Sequence, residues 1–162
     1  MLKFYTDGAA TMRKENSNWI RCNGGSAMIC LNENNKIIAE YKCGFRKTTN
    51  NYCELYAIYL ALAYWDANYP NEEIKIYSDS SYCINMLRKE GWIYNWERND
   101  WTRGEEHKPI ENLPIIKLIW KLLNDDVSFV KVKGHSGNLY NEIVDKMAVE
   151  AKEKGDWYDE IH

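Results

Sequence analysis

A chain of 162 residues with 45% hydrophobic and 28% charged side chains has the ordinary balance of one soluble globular domain with room for a core. Its formal net charge of −3 gives no electrostatic signature of a nucleic-acid binder, and a neutral-to-acidic metabolic enzyme fits that charge equally well. Five cysteines, an odd number with no close pair, argue against a disulfide framework or a zinc site, and with no signal segment or bilayer-length apolar run they place the protein in the cytoplasm.

Residues 2–7 read as a β-prone strand ended by Gly8, followed over residues 11–23 by a polar, irregular stretch carrying Arg13, Lys14 and Arg21. Residues 26–31 and 36–45 flank Asn32-Glu33-Asn34-Asn35, a hairpin turn by composition, so the first three strands form an antiparallel meander. Residues 52–69 form a helix with Ala57, Leu60, Ala61 and Tyr64 at the spacing of a buried face, closed by Pro70. A strand over 74–79 leads into a serine-capped helix over 80–90, which Gly91 ends before a tryptophan-rich stretch that reaches Lys108. A helix over 113–124 shows Ile115, Leu118, Ile119 and Leu122 on one face. A strand over 127–133 and a last helix over 140–154, with Val144, Met147, Ala148 and Ala151 inward, complete the chain. No linker, low-complexity tract or repeat array interrupts residues 1–162, which read as one mixed α/β domain around a five-stranded sheet.

Two strands echo each other. Leu2-Lys3-Phe4-Tyr5-Thr6-Asp7 and Ile74-Lys75-Ile76-Tyr77-Ser78-Asp79 share the pattern apolar, Lys, aromatic or apolar, Tyr, hydroxyl, Asp. With a helix crossing between them they are natural parallel neighbours, and sites in α/β sheets lie beyond the carboxyl ends of such strands. Asp7 and Asp79 then stand side by side, where carboxylates repel unless a cation lies between them. Strand-ending Asp residues are also common turn formers. Glu54 has an equally plain structural reading, a capping box with Asn51 as N-cap. Asp145 near the start of the last helix suits the helix dipole, and His135 sits in a glycine-flanked loop, where a histidine can move as a proton carrier must. Together, oxygen ligands of this kind suit hard divalent cations, and two such cations would turn the net charge slightly positive.

The segments Phe4-Tyr5-Thr6-Asp7-Gly8, Thr48-Thr49-Asn50-Asn51-Tyr52-Cys53-Glu54-Leu55, Ser78-Asp79-Ser80, Val132-Lys133-Gly134-His135-Ser136-Gly137 and Asn141-Glu142-Ile143-Val144-Asp145 resemble type 1 ribonuclease H in order and spacing over nearly the whole chain. The resemblance implies an endonuclease that hydrolyses the RNA strand of RNA–DNA hybrids, leaving 5′-phosphate and 3′-hydroxyl ends. It implies that Asp7, Glu54, Asp79 and Asp145 hold two Mg²⁺ ions, with Mn²⁺ as a substitute, and that His135 helps carry protons. Asn50 and Asn51 then sense the RNA strand through its 2′-hydroxyl, and Thr49 with Lys47 belongs to a pocket for a DNA phosphate. A monomer without membrane attachment is expected.

The chain departs from the family in the charge of one stretch. The stretch 92–108 keeps Trp92, Trp96 and Trp101 but sets Arg98, Arg103 and Lys108 against four acidic residues, so it contributes little counterion release; the tryptophans suit anchoring a long loop to the domain. Arg13, Lys14 and Arg21 are expected to compensate in part. Other readings are a DNA-directed nuclease of the same fold, a non-catalytic nucleic-acid-binding module, and a metabolic α/β enzyme. The first leaves the asparagine pair and the histidine loop unexplained, the second is signalled by loss of a metal ligand, and the third leaves the paired strand ends unexplained.

Overall fold

The computed structural model describes residues 1–134, 137–154 and 156–162. Its elements are β1 (Leu2–Glu15), β2 (Asn18–Leu31), β3 (Ile37–Thr48), α1 (Asn50–Asn68), β4 (Ile74–Ser78), α2 (Ser81–Leu87), α3 (Trp92–Arg98), α4 (Leu113–Leu122), β5 (Val127–Lys131), α5 (Leu139–Glu153) and β6 (Trp157–Tyr158). They build one mixed sheet in the order β5-β4-β1-β2-β3-β6. The sheet therefore has six strands and not five. The sixth is a two-residue parallel addition to the edge of β3, through Gly44↔Trp157 and Phe45↔Tyr158, too short to leave a periodic pattern in the sequence.

The polar stretch expected to be irregular is instead a hairpin. β1 and β2 stay paired out to Glu15↔Asn18, around Asn16 and Ser17 with φ of 49° and 69°. Two consecutive positive φ values give the turn whose twist matches the strands it joins. The ribbon runs out beyond the core, so neither of its faces needs apolar residues and the usual alternation disappears.

The two faces of the sheet follow from the period of two along each strand. Phe4, Met28, Cys30, Ile74 and Ile76 point to the α1 side, where they join Leu55, Ile58, Leu62 and Trp65 in the larger core. Tyr5, Ala27, Ile29 and Leu31 point to the other side and meet Val144 and Ala148 of α5. α1 lies between the sheet and α4, so it is apolar around most of its circumference. Of its predicted inner face, Ala57 and Ala61 are fully buried while Leu60 and Tyr64 are half-buried. On the other side, a Cβ on Gly25 would stand 2.2 Å from the Ala148 carbonyl oxygen, so only glycine lets α5 lie this close to β2.

In the tryptophan-rich stretch the structure shows a helix, α3, that the sequence reading lacked. Trp96 and Trp101 pack inward, Trp101 edge-on to Trp120 at 6.0 Å, while Trp92 stays exposed beside Tyr82. None of the described helices is long and apolar enough to cross a membrane.

Candidate active site

The strand echo is realised as a register. β1 and β4 are parallel, with Leu2↔Ile74, Lys3↔Lys75, Phe4↔Ile76 and Tyr5↔Tyr77 side by side. The rings of Tyr5 and Tyr77 stack at 4.6 Å, and the Thr6 hydroxyl donates to the Tyr77 carbonyl at 3.4 Å. β4 ends at Ser78, but β1 does not end at Asp7: it continues through Gly8 into the hairpin. Asp7 and Asp79 thus face a notch created where one strand stops and its neighbour runs on.

Glu54 reaches the same notch from α1. The N-cap of α1 is Thr49, at φ −123° and ψ 160°, whose hydroxyl accepts from the Tyr52 amide at 3.1 Å. Asn51 is not the cap. Glu54 therefore lies in the second turn, outside any capping box, and points inward with only 4% of its surface exposed. The first turns of α1 are clasped to the sheet backbone: Ser26 donates its hydroxyl to the Cys53 carbonyl at 2.7 Å, and a Cβ on Gly8 would lie 2.4 Å from the Glu54 nitrogen. From α5, capped by Asn138 accepting from the Tyr140 and Asn141 amides, Asp145 lines the same cleft, as does Asn50.

One carboxylate oxygen from each of Asp7, Glu54 and Asp79 lies within 4.8 Å of the others. Asp7 accepts from the Gly8 amide at 2.9 Å, but Glu54 Oε2 is buried without a hydrogen-bond partner. Burial first, and then the charge of Asp79, pushes the Asp7 carboxyl up to about 8. Burial, followed by the Asp7 charge, holds Glu54 well above its ordinary range. Three converging oxygen donors that repel one another, one of them an orphan, fit a hard divalent cation.

The remaining sequence candidates fall elsewhere. Lys47, at φ 50°, lines a second cleft of about 400 Å³ together with Arg21, Arg46, Tyr52, Asn112 and the segment 159–162. Thr49 uses its hydroxyl as a cap, and Asn51 is exposed. His135 lies outside the described residues; Gly134, just before it, comes close enough that a Cβ would stand 3.2 Å from Asp79 Oδ2. Three features escaped the sequence reading: Ser26 as a clasp on α1, Arg46, and the acidic pair Asp159 and Glu160. Of these only Ser26 left a signal, a hydroxyl inside an otherwise apolar strand.

A sheet whose central strands run on beyond one end as a hairpin, with acidic side chains from β1, the end of β4 and two helices around one notch, defines a class of metal-dependent nucleic-acid enzymes. The sequence matches the RNase H family over residues 1–153, and the chain belongs to that family. It is 37% identical over 155 residues to a Clostridium botulinum (strain Hall) protein named Ribonuclease H, covering 93% of this chain and 94% of that protein. A Thermoanaerobacter sp. (strain X514) protein of the same name is 33% identical over 151 residues, covering 93% and 88%. The fold is shared with a foamy viral protease-reverse transcriptase solved in complex with dsDNA, at TM-score 0.74 and 23% identity over 93% of each chain. Members of the family generally use divalent metal ions, and this chain has a buried acidic cluster of the matching kind.

Proposed function

We propose that this chain, as a single ribonuclease H domain and a monomer in the cytoplasm, is an endonuclease that hydrolyses the RNA strand of RNA–DNA hybrids. The observation that carries the reading is the convergence of Asp7, Glu54 and Asp79 within 4.8 Å around the unpartnered Glu54 Oε2. Family membership and relatives named Ribonuclease H at 33% and 37% identity support it. Asp7, Glu54, Asp79 and Asp145 hold two Mg²⁺ ions, which Mn²⁺ can replace. The chemistry such ions supply is activation of a water and stabilisation of the leaving oxygen in an in-line displacement.

The chain's own residues position the strand. Asn50, beside the cluster, and Asn51, exposed on the same helical turn, recognise the 2′-hydroxyl that separates RNA from DNA. Lys47 and Thr49 meet the backbone of the DNA strand. His135 carries a proton towards the departing strand, leaving 5′-phosphate and 3′-hydroxyl ends. The deciding experiment is incubation of the protein with a labelled hybrid and Mg²⁺, beside duplex RNA, duplex DNA and single strands, with Asp7→Asn in parallel. Cutting confined to the RNA of the hybrid and lost in the variant is expected. A folded protein that leaves the hybrid intact across Mg²⁺ and Mn²⁺ concentrations overturns the reading.

A further inference from the structure

The second cleft, on the other side of the first turn of α1 from the carboxylates, is walled on one side by the segment that follows β6. β6 adds to the edge of β3 through two residue pairs, and the residues after it turn into the cleft. Glu160 accepts from Arg21 at 2.8 Å, and Asp159 pairs with Arg46 Nε at 3.1 Å. Arg46 also donates to the Trp157 carbonyl, and the Ile161 amide donates to the Tyr52 hydroxyl at 2.8 Å. The segment is thus held by a few specific polar contacts along one wall, with Lys47 beside it.

We propose that segment 156–162 is a built-in competitor for the nucleic-acid backbone, its Asp159 and Glu160 carboxylates occupying Arg21 and Arg46 where a strand phosphate must bind. The inference rests on the reading of Lys47 and Thr49 as DNA-strand contacts. Carboxylate and phosphate each offer a guanidinium a pair of anionic oxygens at hydrogen-bonding distance, so the two are exchangeable ligands. The latch is weak. Both arginine side chains are more than half exposed, where an ion pair contributes little. Burial pushes the Glu160 carboxyl up, more than Arg21 offsets, so the closed arrangement is not the ideal home of that charge. A strand entering the cleft exchanges one acceptor for another and frees Glu160 to water. The segment then sets the affinity and salt dependence of binding without touching the reacting atoms.

The test compares the Asp159→Asn/Glu160→Gln double variant with a charge-matched control, Glu33→Gln/Glu40→Gln, whose substitutions lie away from the cleft around the Asn32–Asn35 turn and β3. KM and kcat on an RNA–DNA hybrid and Kd for a DNA single strand are measured with Mg²⁺ at several salt concentrations. The expected result for the double variant is KM and Kd lowered about 3- to 10-fold at low salt, a steeper salt slope, kcat within about twofold, and an unchanged control. Asp159→Asn alone, at an exposed site, gives a smaller change in the same direction. An equal gain in the control, or no gain in a variant with unaltered circular dichroism and melting, overturns the proposal. Hybrid left uncut by every chain while the variant still tightens on DNA defeats the functional reading and leaves the competitor standing; hybrid cut with unchanged KM and Kd does the reverse.

Discussion

The two clefts on either side of the first turn of α1 are opposites in construction. The acidic one is set into the core: Asp7 and Glu54 are 3% and 4% exposed, and the backbones carrying them are pressed together at Gly8 and clasped by Ser26. The cationic one is built from a hairpin, the end of β3 and a short added strand, and its charged groups are mostly half-exposed. Rigid placement of like charges stores repulsion that a cation relieves, whereas loose placement of unlike charges lets one anion replace another. On the proposed reading, geometry is fixed where the chemistry occurs and exchangeable where the strand is held.

The largest effects are expected in the acidic cleft. Asp7→Asn lowers hybrid cleavage by about a thousandfold or more, because it removes a charged ligand from the centre of the cluster. The same substitution raises the melting temperature in EDTA near neutral pH, since an amide bears neither the burial cost of a carboxylate nor its repulsion with Asp79. A variant that loses both activity and metal-free stability would show that Asp7 serves the fold instead. Stability should also depend on pH in an unusual direction. The folded Asp7 carboxyl titrates at about 8 against an ordinary 3.8, so between those values the fold holds a proton that the unfolded chain has released. Metal-free stability therefore falls as pH rises across that window, by an amount on the order of a few kcal/mol, with Glu54 acting in the same sense. Melting curves in EDTA from pH 5 to about 8.5 measure the fall, and saturating Mg²⁺ should remove most of it. A flat profile in EDTA shows that the cluster is better solvated than its burial indicates.

The contrast between the clefts also governs what could be read from the sequence. The pairing of Asp7 with Asp79 was legible because parallel strands carry their pattern in register, and Leu2↔Ile74 through Tyr5↔Tyr77 is that pattern. The four acidic residues and the asparagine pair came from the family's motifs. The N-cap was misplaced by two residues because Thr49, Asn50 and Asn51 are all acceptable caps, and only the path of the chain out of β3 chooses among them. Of the cationic cleft, the family's motifs reached Lys47 but not its union with Arg46 and the acidic pair. Arg21, Arg46 and Glu160 are far apart in sequence, and the sheet edge that unites them is made by a strand of two residues. Register along a long strand is a local property, while the filling of an edge depends on everything already folded.

The choice of cap can be measured directly. Thr49→Ala removes the acceptor for the Tyr52 amide and should cost about 1 kcal/mol in urea unfolding, whereas Asn51→Ala, with an exposed side chain, should stay within about 0.5 kcal/mol. The reverse order would restore Asn51 as the cap and with it the capping-box reading of Glu54. Because Thr49 and Asn51 are also proposed strand contacts, the hybrid KM of Thr49→Ala should rise alongside the lost stability, and Asn51→Ala should raise KM without that loss.

The smallest effect concerns the hairpin cations. Arg13, Lys14 and Arg21 are carried on the hairpin, yet Arg13 pairs with Glu15 at 3.2 Å, Lys14 sits over Trp19 at 5.9 Å, and Arg21 is held by Glu160. Replacing all three by Ala should weaken hybrid binding and flatten its salt dependence by about one unit of slope, less than three free cations would give. An unchanged slope excludes the hairpin from the grip. Arg21→Ala alone should shift Kd less than about twofold in the native chain, because its charge is already answered by Glu160. In the Asp159→Asn/Glu160→Gln background the same substitution should cost several times more. That non-additivity is the coupling a double-mutant cycle isolates. If Arg21→Ala has the same effect in both backgrounds, Arg21 and Glu160 do not compete with phosphate, and the cationic cleft is as fixed as the acidic one.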